Sequence, residues 1–317
     1  MRPDSSGGAL CGRRAVLTGL LVAATGCGRP RGTTRLVIAT GQRGGVYFDY
    51  GEGLAAAISA EYPDLRPEVI TTGASLDNLR LVAGGRADVA FTLADSAALA
   101  VAGEAPFAAP QEVRALARLY DNYVHLVVRA GSGIVALGDL RGQRVSCGAA
   151  GSGTEIIARR LLALARLEPD TVERLDLARS AAALASGSID AFFFSGGLPT
   201  QTISELAGRR LVRLVDLRDH AEPMRRRHGE FYSPRTIPAS AYGLPACGSI
   251  GVPDYLVVRQ DMAEDLSYEL TGLLFSDRDA LERAHPEARR LNVRSAFATD
   301  PVPLHKGAIR YYRESRS

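Results

Sequence analysis

The sequence predicts an α/β fold of two lobes, each an open sheet flanked by helices, with two strands joining them. Three observations carry this. Apolar, β-branched strands alternate with amphipathic helical stretches, the pattern of a largely parallel sheet with helices on its faces. A phrase of strand, Gly/Ser turn and helix start occurs twice before residue 80 and twice after residue 140. Leu126-Val127-Val128-Arg129 returns as Leu256-Val257-Val258-Arg259 and brackets a block with strand–turn–helix units of its own. A domain inserted in this way joins its host through two neighbouring strands that serve as a hinge.

The N-terminus precedes all of this. Arg2, Arg13 and Arg14 give residues 1–26 a positive start, and Ala15 to Ala24 is an apolar run too short to span a bilayer, so the segment reads as an export signal. Ala24-Thr25-Gly26-Cys27 resembles a bacterial lipobox, with Ala24 where Leu is usual, which implies a lipid on Cys27 as the mature N-terminus. Gly12 to Leu17 also resembles a twin-arginine signal. Residues 27–34 read as a tether, 35–124 with 251–317 as the first lobe, and 125–250 as the inserted second lobe.

The elements follow in order. Leu36 to Thr40 is a strand that stops at Gly41-Gln42-Arg43-Gly44-Gly45, and a helix opens at Val46-Tyr47 with Tyr50, Leu54, Ala57 and Ile58 at helical spacing. Pro67 to Thr72 is a second strand, Gly73-Ala74-Ser75 its turn, and Leu76 to Ala83 a helix closed by Gly84-Gly85. Ala87 to Leu93 is a third strand with Ala94-Asp95-Ser96 as turn and cap. Val113 to Tyr120 is a further sheet element, and Val124 to Arg129 the transition to the second block. There, strand Val145 to Cys147 runs through Gly148 to Thr154 into a helix that ends at Leu167. Arg174 to Leu177 and Ala191 to Phe194 supply strands, the latter entering Ser195-Gly196-Gly197-Leu198-Pro199-Thr200 before a helix at Ile203 to Ala207. Arg225-Arg226-Arg227-His228 is a solvated loop or helix face. Residues 261–291 return to helix, and the tail runs from Leu304 to Tyr312.

Each strand–turn–helix phrase leaves unpaired amides and the positive end of a helix dipole facing outward from a strand's carboxyl end, a setting suited to an anion. Any one copy equally fits the ordinary need of a helix for a cap. Four in series favour a ligand cleft.

The composition excludes other classes. A formal charge of +3 on 317 residues gives no electrostatic footprint for nucleic acid. Gly148 to Thr154 lacks the Lys of a phosphate-hydrolysing loop, Gly51-Glu52-Gly53 lies inside a helix, and Ser152 follows Ala150 where a nucleophile elbow needs Gly. The five histidines are scattered and no CxxC occurs. No catalytic constellation, metal site or cofactor is expected, and Cys147 and Cys247 read as unpaired buried thiols.

Taken together, these motifs resemble the TAXI group of TRAP-transporter solute receptors, over roughly residues 35–313. The resemblance rests on Ile38-Ala39-Thr40-Gly41 with Gly44-Gly45-Val46-Tyr47, on Thr72 to Leu79, on Gly85 to Ala90 with Asp95, and on Leu137 to Val145. It continues through Gly151 to Thr154, Ile189 to Pro199, Ile237-Pro238-Ala239 with Tyr242, and Leu304 to Ala308. It implies a two-lobed, type II periplasmic-binding-protein-like fold and an extracytoplasmic receptor, not an enzyme. Such a receptor takes a small carboxylate, an amino acid or a dicarboxylate or 2-oxoacid, to TRAP-type membrane subunits, held at the membrane here by the Cys27 lipid. The expected ligand-binding residues are Gly44, Gly45, Val46, Tyr47, Thr72, Ser75, Asn78 and Asp95 from the first lobe. From the second they are Ser152, Gly153, Thr154, Ser195, Gly196, Gly197 and Thr200. Val46, Ala74 and Leu93 stand where the group commonly has Thr, Gly and Gln, which shifts the expected ligand toward a smaller or less polar acid. A sensor subunit feeding a membrane signalling system and an enzyme on the same scaffold are the alternatives.

Overall fold

Strands that are apolar on both faces need cover on both sides, so a chain that alternates them with amphipathic helices builds a sheet between helical layers. The computed structural model describes residues 34–315 and has this architecture. Its first elements are β1 (Thr34–Ala39), α1 (Val46–Glu61), β2 (Leu65–Ile70), α2 (Ser75–Ala83), β3 (Val89–Leu93), α3 (Ala94–Ala102) and β4 (Val113–Arg129). Next come β5 (Arg144–Ser146), α4 (Gly153–Leu164), β6 (Thr171–Glu173), α5 (Leu177–Ser186), β7 (Ala191–Gly196), α6 (Gln201–Gly208) and β8 (Val212–Leu214). The remainder is α7 (Ala221–His228), β9 (Ser233–Ile237), α8 (Ala239–Tyr242), β10 (Cys247–Arg259), α9 (Glu264–Ser276), α10 (Arg278–Ala284), α11 (Val293–Ala296) and α12 (Lys306–Glu314).

All ten strands belong to one hydrogen-bonded sheet, ordered β2-β1-β3-β10-β4-β7-β5-β6, with β8 beside β4 and β9 beside β10. Two separate facing sheets are therefore not what forms: β4 and β10, the longest strands, run through both halves and join them. The N-terminal part of β4 pairs with β10, and Tyr123 to Val128 pair with β7. Likewise β10 pairs with β9 through Cys247 to Gly251 and with β3 through Asp254 to Val258. The crossing lies where Gly251, Val252 and Pro253 oppose Tyr123, Asn122 and Asp121. The echoed segments 124–129 and 255–259, expected to cross side by side, do not pair with each other. Val124 to Val128 bind β7, and Tyr255 to Arg259 bind β3 and Val113 to Arg118.

Cores cover both faces of each half. Tyr47, Tyr50, Leu54, Phe91 and Leu256 fill one face of the first half, and Ala39, Leu76, Leu79, Ala97 and Tyr255 the other. In the second half Leu126, Val145, Ile157, Leu161 and Phe193 lie on one side and Val127, Leu184, Phe192 and Ile203 on the other. Three sequence expectations shift. Val113 to Tyr120 and Val124 to Arg129 are one 17-residue strand. Arg174 to Leu177 is not a strand, because β6 ends at Glu173 and Asp176 already caps α5 through the Arg179 amide. Ala94-Asp95-Ser96 is the first turn of α3 and not a loop. The basic run Arg225 to His228 ends α7, whose buried residues are Ala221 and Met224.

Cys147 and Cys247 are free and buried, and burial pushes each thiol up to about 11. The export signal, Cys27 and the tether up to residue 33 lie outside the described residues. Among the described residues no helix is long and apolar enough to cross a membrane.

Candidate binding cleft

Three helix beginnings meet at one cavity, where the two halves of the sheet join. Gly45, Val46 and Tyr47 at the start of α1 line it, together with Ser75 of α2 and Gly153 and Thr154 of α4. Gly41, Thr72, Ala74, Leu93, Asn122, Phe193, Ser195 and Gly196 complete the wall. The amides of Val46, Tyr47, Gly153 and Thr154 precede any intrahelical acceptor and take no acceptor among the described residues. Opposite chain segments thus aim N–H groups and positive helix ends into a shared space.

Local geometry explains why these turns are small-residue turns. Gly44, Gly148 and Gly151 adopt φ of +80°, +93° and +75°, conformations that only glycine enters without strain. Gly153 has ordinary φ but no room, because a Cβ would strike the Leu93 side chain and lie 2.9 Å from Ser75 Oγ. Ala74 takes φ 79°, ψ −138° without being glycine, a disfavoured conformation held at the cavity wall. The two halves touch here: the Leu76 amide donates to Gly151 O at 3.1 Å.

Nine of the expected ligand residues line the cavity: Gly45, Val46, Tyr47, Thr72, Ser75, Gly153, Thr154, Ser195 and Gly196. Six do not: four have side chains engaged elsewhere, and two are turn glycines. Asn78 is fully buried and its amide donates to Thr40 O at 2.9 Å and Phe91 O at 2.7 Å, tying α2 to the ends of β1 and β3. Asp95 accepts from Tyr232 Oη at 2.6 Å and lies 3.3 Å from Arg160 Nη1, a polar link between α3 and the second half. Burial pushes the Asp95 carboxyl upward despite Arg160. Ser152 caps α4, accepting from the Glu155 amide at 3.1 Å. Thr200 Oγ1 donates to Gly197 O at 2.9 Å. Gly197 packs so closely on Glu287 and Val46 that a Cβ would lie 2.7 Å and 2.9 Å from them, and Gly44 serves its turn.

The lining residues have their own partners. The Ser195 amide donates to Thr154 Oγ1 at 3.1 Å, and the Leu93 amide donates to Ser75 Oγ at 3.1 Å. Ser195 Oγ is buried and has no partner among the described residues. Arg43 lies on the lining, its guanidinium 4.4 Å from the Phe48 ring centroid, and Asp176 lines the second half.

Sequence reasoning missed the polar cluster behind the cavity. Asp254 of β10 is 0% exposed, and the groups that bear on its carboxyl as hydrogen-bond donors are the Tyr47 and Tyr120 hydroxyls, Asn122 and the Tyr255 amide. Tyr47, Tyr120 and Asn122 are its polar neighbours, and burial pushes the carboxyl well above the usual carboxylate range. A signal was present: Asp254 is the one charged residue in the otherwise apolar run from Ile250 to Val258.

A family model described as the NMT1-like family matches residues 38–315. Among solved structures, the chain resembles a binding protein component of an ABC phosphonate transporter from Pseudomonas aeruginosa, with 11% identity and a TM-score of 0.57, over 80% of this chain and 79% of that one. It resembles PhnD1 from Prochlorococcus marinus, solved with methylphosphonate, with 12% identity and a TM-score of 0.54, over 81% of this chain and 90% of that one. An ancestral arginine-binding protein bound to arginine matches with 15% identity and a TM-score of 0.50, over 81% of this chain and 95% of that one. At these identities the likeness is one of fold, and the fold is periplasmic-binding-protein-like.

Proposed function

The chain belongs to the NMT1-like family, and from that premise we propose that it is an extracytoplasmic solute receptor that closes on a small carboxylate and delivers it to membrane transport subunits. The observation that carries this reading is the convergence of the α1, α2 and α4 beginnings, drawn from both halves, on one cavity. Carboxylate oxygens accept from the free amides at Val46, Tyr47, Gly153 and Thr154, and the dipole ends stabilise the charge.

Residues 35–124 with 251–317 act as one lobe and 125–250 as the other, moving about the crossing of β4 and β10. Only a closed form offers donors from both lobes, so the ligand draws the population toward closure. Two of the structures of like fold are described as binding proteins, which favours capture without chemistry. The TAXI resemblance favours TRAP-type membrane partners, and the Ala24 to Cys27 motif a lipid that keeps the receptor at the extracytoplasmic face of the membrane. One acyl chain anchors weakly, so stable attachment needs the two or three chains of a lipoprotein.

Titration calorimetry of the purified protein with a panel of small mono- and dicarboxylates checks the reading. Saturable binding of at least one acid is expected. Silence across the acids alongside tight binding of a neutral sugar would overturn it.

A further inference from the structure

We infer that Glu287 is a positioning residue of the cleft: from the first half of the sheet it grips the turn at 195–199 in the second half, and so sets Ser195 and Gly196 against the cavity. The grip is read from the contacts themselves; its effect on affinity rests on the receptor reading above and deepens it.

The two sides of the contact belong to different cores. Glu287 sits in a short 3-10 turn, Pro286–Arg290, whose Ala288 is buried with Leu281 and Leu291 in the core that holds Tyr47 and Tyr120. Its amide donates to His285 Nδ1 at 3.1 Å, which fixes the entry to the turn. The gripped turn leaves the end of β7, and Leu198 packs with Tyr123, Ile203 and Tyr242 in the second half. Leu198 and Glu287 are 89 residues apart, so only the tertiary fold brings them together.

Three contacts make the grip. The Leu198 amide donates to Glu287 Oε1 at 2.8 Å. The Pro199 carbonyl accepts from the His285 ring. Gly197 lies so close to Glu287, Val46 and Tyr120 that a Cβ there would come within 2.7, 2.9 and 3.3 Å of their side chains. Nearby, the Ser195 amide goes to Thr154 Oγ1 and the Thr200 amide to Tyr242 Oη, each at 3.1 Å and each within the second half. Of these three amides, Leu198 alone is held by the first half.

The grip reaches the cavity from both sides. Ser195 and Gly196 directly precede Gly197 and line the cavity, and so does Val46, whose side chain meets Gly197 from α1. A displaced turn therefore displaces a wall of the site, and contact groups bind well only where the residues behind them hold them to their geometry. Glu287 is also a costly residue for packing alone. It is 2% exposed, and burial pushes its carboxyl upward; the Leu198 amide and Arg290, whose Nε lies 2.9 Å from Oε2, act against that push, and Asp121 adds to it. An apolar side chain would pack on Gly197 without the cost of burying a carboxyl. What the carboxyl adds is an acceptor for the Leu198 amide.

The experiment reads the grip and its effect separately. Hydrogen–deuterium exchange of the purified full chain, with no solute added, follows the amides of residues 195–200. Glu287→Ala is expected to speed exchange there about tenfold, the scale of one lost hydrogen bond, while α1 and β10 keep their rates. Glu287→Gln keeps an oxygen acceptor and is expected to restore the slow rate. Glu287→Asp, a gentler change that draws the acceptor back by one methylene, carries the same expectation as Glu287→Ala should that variant fail to fold. Calorimetry and stopped-flow mixing with glutamate, 2-oxoglutarate, pyruvate and leucine read the effect. For each acid that binds, Glu287→Ala is expected to weaken affinity about tenfold through faster dissociation, and Glu287→Gln to restore it. Unchanged exchange at 195–200 in the alanine and aspartate variants overturns the grip. Faster exchange with unaltered affinity overturns the positioning role and leaves the carboxylate reading standing. Should none of these acids bind, it is the carboxylate reading that fails, and exchange alone decides the grip.

Discussion

His125 shows how a single buried side chain ties stability to pH. Its Nδ1 donates to Tyr123 O at 2.8 Å, and Nε2 lies 3.0 Å from Tyr242 Oη, which in turn accepts from the Thr200 amide at 3.1 Å. Burial pushes the imidazole from 6.5 down to about 4, so the folded state holds it neutral. Between those two values the unfolded chain binds the extra proton, and stability is lost as pH falls from 6.5 toward 4, by up to about 3 kcal/mol. His125→Gln should flatten the dependence of the denaturation midpoint on pH across that window, and an unchanged slope would show that His125 does not cause it. His305 is also buried, and its side chain caps α12 by accepting from the Gly307 amide. Asn78 and Asp95 have the residue types of ligand contacts, yet their hydrogen bonds go to strand carbonyls and to Tyr232 and Arg160. Sequence gives the chemistry of such a side chain but not the direction in which it points.

Helix beginnings are the elements on which the cleft depends. α4 starts at Gly153 because Ser152 supplies the cap, and it packs against Leu93 and Ser75 because Gly153 has no side chain. Gly153→Val should force these segments apart and displace two of the free amides, weakening carboxylate binding by roughly 1–3 kcal/mol, the size of a buried unmade hydrogen bond. Calorimetry of the variant reads this, and unaltered affinity would remove the loop from the site. Elements with a strong internal signal were legible: α1, α2, α4 and β1 each begin or end within about two residues of the place their glycines and apolar spacing indicate. β4 was not, since Asp121 and Asn122 look like a break between two strands. They stand instead in a continuous strand, where the Asp121 carboxylate pairs with Arg118 at 2.7 Å and Arg235 at 2.6 Å. A polar pair in mid-strand reads as a turn unless its partners, distant in sequence, are known.

At the scale of the whole molecule, polar contacts cross between the halves of the sheet beside the cleft. The Leu76 amide bonds Gly151 O, the Leu198 amide donates to Glu287 Oε1 at 2.8 Å, and Arg160 lies between Asp95 and Tyr232. Arg160→Leu removes the cation from that last link and should favour the open form. Small-angle scattering of the ligand-free variant is expected to show a larger radius of gyration, and calorimetry a roughly tenfold loss of affinity, since closure then draws on the ligand's binding energy. An unchanged radius and affinity would assign the triad to packing alone. The sequence by itself determined the alternation of strands and helices, the glycine-marked helix beginnings and the buried thiols, because each is written in local spacing and residue type. Only the tertiary structure decided that one sheet runs through both halves, that nine of fifteen expected residues share a cavity, and that Asp254 is buried among Tyr47, Tyr120 and Asn122. Strand partners and side-chain directions are set by contacts between residues far apart in the chain, and local pattern carries no record of them.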